Sequence, residues 1–130
     1  MGGTGGAIRR RCALGLAVLA AGGLLAVAAP GEAQAAAHCS GRKVRTLPFS
    51  TGSVAVYKRD GYVCAVTLPE KPGTRRKMMV SVRARGGRPV VDEGRFTHRA
   101  GPVTVHAGQR CVWVKGSVAR GSVSSGWILC

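Results

Sequence analysis

From residue 39 onward apolar and polar residues alternate in short runs, and no stretch keeps a helical apolar period over three turns. The clearest alternation sets Met78, Val80, Val82 and Ala84 against Met79, Ser81, Arg83 and Arg85. It predicts a half-buried strand with Arg83 and Arg85 on its wet face, ended by Gly86 and Gly87. Two further runs, residues 54–59 and 62–68, flank Asp60-Gly61. That dipeptide suits a two-residue type I′ turn, in which both central residues take positive φ. The register that follows pairs Arg59 with Tyr62, Lys58 with Val63 and Tyr57 with Cys64. Tyr57 then lies beside a cysteine on a covered face, while Arg59 and Tyr62 remain open to solvent at the tip.

The rest of the chain reads the same way. Residues 43–50 are interrupted by Pro48 and predict an edge strand. Residues 69–76, "PEKPGTRR", predict a loop. Residues 89–92 and 95–98 predict two short strands. Residues 102–115 predict a second hairpin, turning at Gly108-Gln109, in which Val105 faces Val112, Val103 faces Val114 and Thr104 faces Trp113. A last strand, residues 123–130, carries Trp127. The expected fold is all-β, a small antiparallel β-sandwich or barrel of about seven strands.

The first 37 residues follow a different pattern. Arg9, Arg10 and Arg11 precede an uncharged run, residues 13–29, then Pro30 and a string of small residues. This is the order of a cleaved secretory signal peptide, with Ala-x-Ala sites for a cut after Ala35 or after Ala37. Residues 1–37 are therefore expected to leave, and residues 38–130 to form a single secreted, extracellular domain with no transmembrane span. Cys12 departs with the leader. Cys39, Cys64, Cys111 and Cys130 remain, an even number that predicts two disulfides. No two of them lie within four residues of each other, as a structural zinc site would require. Pairing Cys39 with Cys64 and Cys111 with Cys130 closes the shorter loops; pairing Cys39 with Cys130 and Cys64 with Cys111 ties the chain ends and stays open. A chain of this size has a modest core and gains from such staples.

Charge narrows the partners. Without Arg9, Arg10, Arg11 and Glu32, the chain keeps 17 of its 20 bases and 4 of its 5 acids, a formal net charge of +13. Such a surface favours anionic cell-wall polymers, acidic polysaccharides or a complementary extracellular protein, with nucleic acid held only nonspecifically. Arg75, Arg76 and Lys77 stand at a loop-to-strand join, with Arg83 and Arg85 further along the strand. Arginine forks bind carboxylate or phosphate in a bidentate way, which makes these residues, with Arg59 and Tyr62, the candidate binding set.

Catalytic chemistry is thinly supplied. The acids left are Asp60, Glu70, Asp92 and Glu93, and the densest mixture of Asp92, Glu93, Arg95, His98 and His106 spans a charged turn and a strand. No nucleophile elbow and no phosphate-binding glycine loop is present in the domain. No catalytic residue, metal or cofactor is expected. The leading expectation is a monomeric, non-enzymatic binding or surface-associated module. In size and cysteine count the domain also resembles the small secreted two-disulfide amylase inhibitors, which present a Trp-Arg-Tyr tip on a hairpin. The corresponding stretch is Tyr57, Lys58, Arg59 and Tyr62, with no Trp and with different cysteine spacing. The resemblance implies an inhibitor of an extracellular hydrolase, an amylase or a protease, as the alternative. A small secreted ribonuclease or toxin, acting through His98 and His106, ranks third.

Overall fold

A computed structural model of the chain describes residues 39–130; the expected signal peptide lies outside them. Eight strands follow one another: β1 (Arg42–Phe49), β2 (Gly52–Arg59), β3 (Tyr62–Pro69), β4 (Arg76–Ala84), β5 (Val90–Phe96), β6 (Ala100–His106), β7 (Val112–Val118) and β8 (Gly121–Ile128). They form two antiparallel four-stranded sheets, in the orders β1-β2-β3-β6 and β5-β4-β7-β8. There is no helix among the described residues. The two short strands expected over residues 89–92 and 95–98 are one strand, β5, which runs from Val90 through Gly94 to Phe96 and leaves residues 89, 97 and 98 outside; the strands number eight against about seven expected.

The β2–β3 hairpin has the expected register: Arg59 pairs with Tyr62, Lys58 with Val63 and Tyr57 with Cys64. Asp60 (φ 49°) and Gly61 (φ 82°) supply the two positive φ angles of the turn. The expected hairpin over residues 102–115 does not form. A turn is present, with Arg110 N–H donating to Ala107 O at 2.9 Å. Its two arms then part, β6 pairing with β3 and β7 with β4. The turn is docked on the β2–β3 tip, where the N–H groups of Ala107 and Gly108 both donate to Gly61 O at 2.9 Å. That commits β6 to the open edge of β3. Val103 and Val105 therefore meet Val112 and Val114 from opposite sheets rather than lying beside them.

Core residues come from both sheets. Val54, Val56, Val63, Ala65 and Val103 pack with Met78, Val80, Val82, Val112 and Val114. The polar exception is Thr67, fully buried, whose hydroxyl donates to Met79 O in the other sheet at 2.9 Å. A buried hydroxyl without a partner would cost about 1–3 kcal/mol, so this bond ties the sheets at a chosen spacing. Gly116 makes the spacing possible, because a Cβ there would run into Val54 and come within 2.6 Å of Thr67 Oγ1. β2 and β3 are also covered on their outer side, where Ala55, Tyr57 and Val66 bury with Cys39 and Cys64.

The disulfides are Cys39–Cys64 and Cys111–Cys130, the two shorter loops, spanning 25 and 19 residues. The first holds the start of the described chain to β3; the second joins the end of β8 to the lead-in of β7. No described helix is long and apolar enough to cross a membrane.

Two outcomes test this arrangement. A non-reducing peptide map recovers the Cys39–Cys64 and Cys111–Cys130 peptide pairs and no others. Gly116→Ala costs about 1–3 kcal/mol by overpacking, seen as a lower urea midpoint at unchanged slope. An unaltered midpoint would show that the sheets are free to part at this point.

Candidate functional site

The outer face of the β5-β4-β7-β8 sheet is built by the same alternation that builds the core. Because Met78, Val80, Val82 and Ala84 turn inward, Lys77, Met79, Ser81 and Arg83 must turn outward. The registers set them in rows across the sheet. Lys77 pairs with Arg95. Met79 lies between Glu93 and Ser117, and Ser81 between Val91 and Lys115. Arg83 pairs with Trp113, which pairs with Trp127. Small side chains in the middle rows leave a groove of about 610 Å³, floored by Met79 and Ser81 and walled by Val91, Lys115 and Trp113.

Trp127 reaches this face through a bulge. Val123 pairs with Gly116 on the core side, so simple alternation along β8 would turn Trp127 inward. The β7–β8 register slips by one residue between Trp113 and Lys115, and Trp127 emerges beside Trp113 instead. Gly126 adopts φ 72°, a conformation that glycine takes without strain. The Ser125 hydroxyl holds the bulge, accepting from Val114 N at 2.9 Å and donating to Gly126 O at 2.6 Å.

The row that results joins aromatic and cationic groups. The two indoles meet edge to face, 5.3 Å between centroids and 87° between planes. Trp113 Nε1 donates to Ser124 Oγ at 2.7 Å, which fixes that ring. The Arg85 and Arg83 guanidiniums lie over Trp127 at 4.8 and 5.6 Å from the ring centroid. Arg83 Nε donates to Gly87 O at 3.0 Å. Among the described residues neither arginine belongs to an ion pair; the acids Asp60 and Glu93 pair with Arg59 at 3.6 Å and Lys77 at 3.5 Å. Two guanidiniums on one indole, with terminal N–H groups to spare, have the donor chemistry that an oxyanion takes.

The remaining predicted binding residues fall in two other places. Arg75, Arg76 and Lys77 stand at the opposite end of β4 from Arg83 and Arg85, so the five do not form one patch. Arg75 Nη1 donates to Arg95 O at 3.0 Å, and Arg76 Nη2 to Lys71 O at 2.9 Å. Arg75, Arg95, Arg99 and His98 line a recess of about 250 Å³ there. Arg59 and Tyr62 lie at the β2–β3 tip on the other sheet, where Tyr62 is 51% exposed and meets His106 edge-on at 4.8 Å. The mixture of acids and histidines is dispersed. Asp92 accepts from Gly101 N at 2.7 Å, while Glu93 faces outward, and His98 precedes β6 whereas His106 is its last residue. No group of three or more His, Cys, Asp or Glu suited to a metal ion occurs among the described residues.

Trp113 and Trp127 are absent from the sequence-derived binding set. A signal for Trp113 was present, since Val112 and Val114 inward require it to face out. Trp127 had none, because its facing depends on the bulge. If the pair is as described, the far-UV circular dichroism shows an exciton couplet that Trp127→Phe abolishes and Gly126→Val diminishes; an unchanged couplet in Trp127→Phe would refute the pairing. The chain matches no protein-family model, no curated protein and no solved structure with which it was compared.

Proposed function

We propose that this chain is a secreted, disulfide-stapled, non-enzymatic module that binds an anionic extracellular polymer on the outer face of the β5-β4-β7-β8 sheet. The observation that carries the reading is the unpaired Arg83 and Arg85 over Trp127 at the end of an open groove. Contact with the indole restrains each guanidinium before a ligand arrives, so less side-chain freedom is lost on binding. Two cations on one ring, neither of them in an ion pair among the described residues, favour a bound anion. Two disulfides suit an oxidising, extracellular setting.

A net charge of +13 attracts polyanions without any site, so the test must separate site from charge. The domain is retained on immobilised heparin at low salt. Arg83→Ala with Arg85→Ala weakens solution binding at least about tenfold, from the loss of charge-assisted hydrogen bonds of about 1.5–3 kcal/mol each. Arg42→Ala with Arg45→Ala, an equal loss of charge on exposed β1 positions of the other sheet, has a much smaller effect. Equal losses in the two double variants would reduce the reading to bulk charge.

A second reading rests on the hairpin tip, where an exposed Tyr62 and Arg59 project from a tight turn as an inhibitor loop does. It requires that the domain inhibit an amylase or protease and that Tyr62→Ala abolish the inhibition at unchanged stability. A hydrolase panel without inhibition would remove it.

A further inference from the structure

The proposed site has two cationic ends, and resting on the reading above we infer that its ligand is a linear acidic glycan long enough to engage both. The first end is the Arg83–Trp127–Arg85 cluster. The second is the recess of Arg75, Arg95 and Arg99 beyond the other end of the groove. Arg95 pairs with Lys77 across β4 and β5, so it shares the outer face with Arg83. Lys77 is neutralised by Glu93 at 3.5 Å. The charge left for a ligand at this end therefore lies on the arginines, and Arg75 is held over the end of β5 by its bond to Arg95 O at 3.0 Å. From the Lys77 row to the Arg83 row is six residues of β4, about 20 Å at strand rise.

The ground between the ends is not cationic throughout. Its floor is Met79 and Ser81, with Ser117, Ser122 and Ser124 on the neighbouring strands, Val91 and the Lys77-paired Glu93 at one side and Lys115 at the other. Short hydroxyls and small apolar surfaces suit sugar rings, which present both hydroxyl edges and C–H faces. A single-stranded nucleic acid would want a free aromatic platform for each base. Here both indoles stand at one end, Trp127 lies under two arginines, and the two rings are engaged with each other. The ligand that fits carries anionic groups, carboxylate or sulfate, spaced along a hydroxyl-rich chain.

Two linked contacts give a length dependence that one contact does not, because the second binds at the high effective concentration set by the first. Heparin-derived oligosaccharides of defined length serve as probes, titrated calorimetrically into the domain so that stoichiometry is read with affinity. A decasaccharide binds one to one and about 10²-fold more tightly than a disaccharide, which reaches a single end. In Arg75→Ala with Arg95→Ala the advantage of length vanishes while the disaccharide still binds; in Arg42→Ala with Arg45→Ala it persists. Equal affinity for the two lengths overturns the two-ended site and leaves the proposed binding face standing. No binding of either length overturns the proposed function itself. An oligothymidylate of similar length and charge that binds as tightly as the decasaccharide overturns the glycan assignment.

Discussion

The burial of Met78, Val80, Val82 and Ala84 against the opposing sheet is the constraint on which the rest depends. β4 is an inner strand of its sheet, paired on both sides. Its inward residues are at most 4% exposed. With the side-chain period fixed at two, a slip of one residue would expose all four and bury Lys77 and Arg83. The apolar side of β4 thus sets the register of its neighbours, and the polar side is ordered as a consequence. Met79 and Ser81 become a floor because their neighbours on the same strand are core. The Thr67 hydroxyl bound to Met79 O pins this strand to the other sheet, at a separation that Gly116 permits.

The Arg83–Trp127–Arg85 arrangement stabilises the fold little. An exposed cation–π contact contributes about 0.5–1 kcal/mol, and a strongly cationic surface repels itself. Its value is in positioning. Arg83 is tied at Nε and lies over Trp127, Trp113 is tied to Ser124, and Trp127 is turned outward by a bulge with its own hydroxyl bonds. A cluster so constrained on three adjacent strands differs from the arginines of β1, which stand on an edge without such partners. On that contrast rests the proposal that the β4-β7-β8 cluster, rather than the charged surface at large, is the binding site.

The other sheet shows how a local reading and a tertiary one diverge. Asp60-Gly61 dictates the β2–β3 turn and its register, and the structure follows them. The turn after β6 is equally local, and Arg110 N does close it on Ala107 O. Yet Ala107 and Gly108 are captured by Gly61 O, and β6 gains the β3 edge instead of β7 as its partner. An open strand edge and an existing tip compete with the hairpin and win, since β6 pairs with β3 from Tyr62 to Thr67, with one irregularity, while Val112 and Val114 reach the core from the far side. No nearest-neighbour pattern contains that competition.

The chain alone therefore determined what depends on short range and parity: the all-β class, the tight turn with its register, the two faces of β4, the even set of cysteines and the strong positive charge. Period-two alternation and turn chemistry act over a few residues, so they can be read without a partner strand. Tertiary structure decided which strands are neighbours, and with that the site. Arg83, Trp113 and Trp127 are far apart in sequence and meet only because β4, β7 and β8 are adjacent. Trp127 points outward only because one extra residue in β8 reverses its parity. Arg75 and Arg85, close in sequence and flanking the two ends of β4, are kept apart for the opposite reason: an extended backbone sets its ends as far from each other as a chain can.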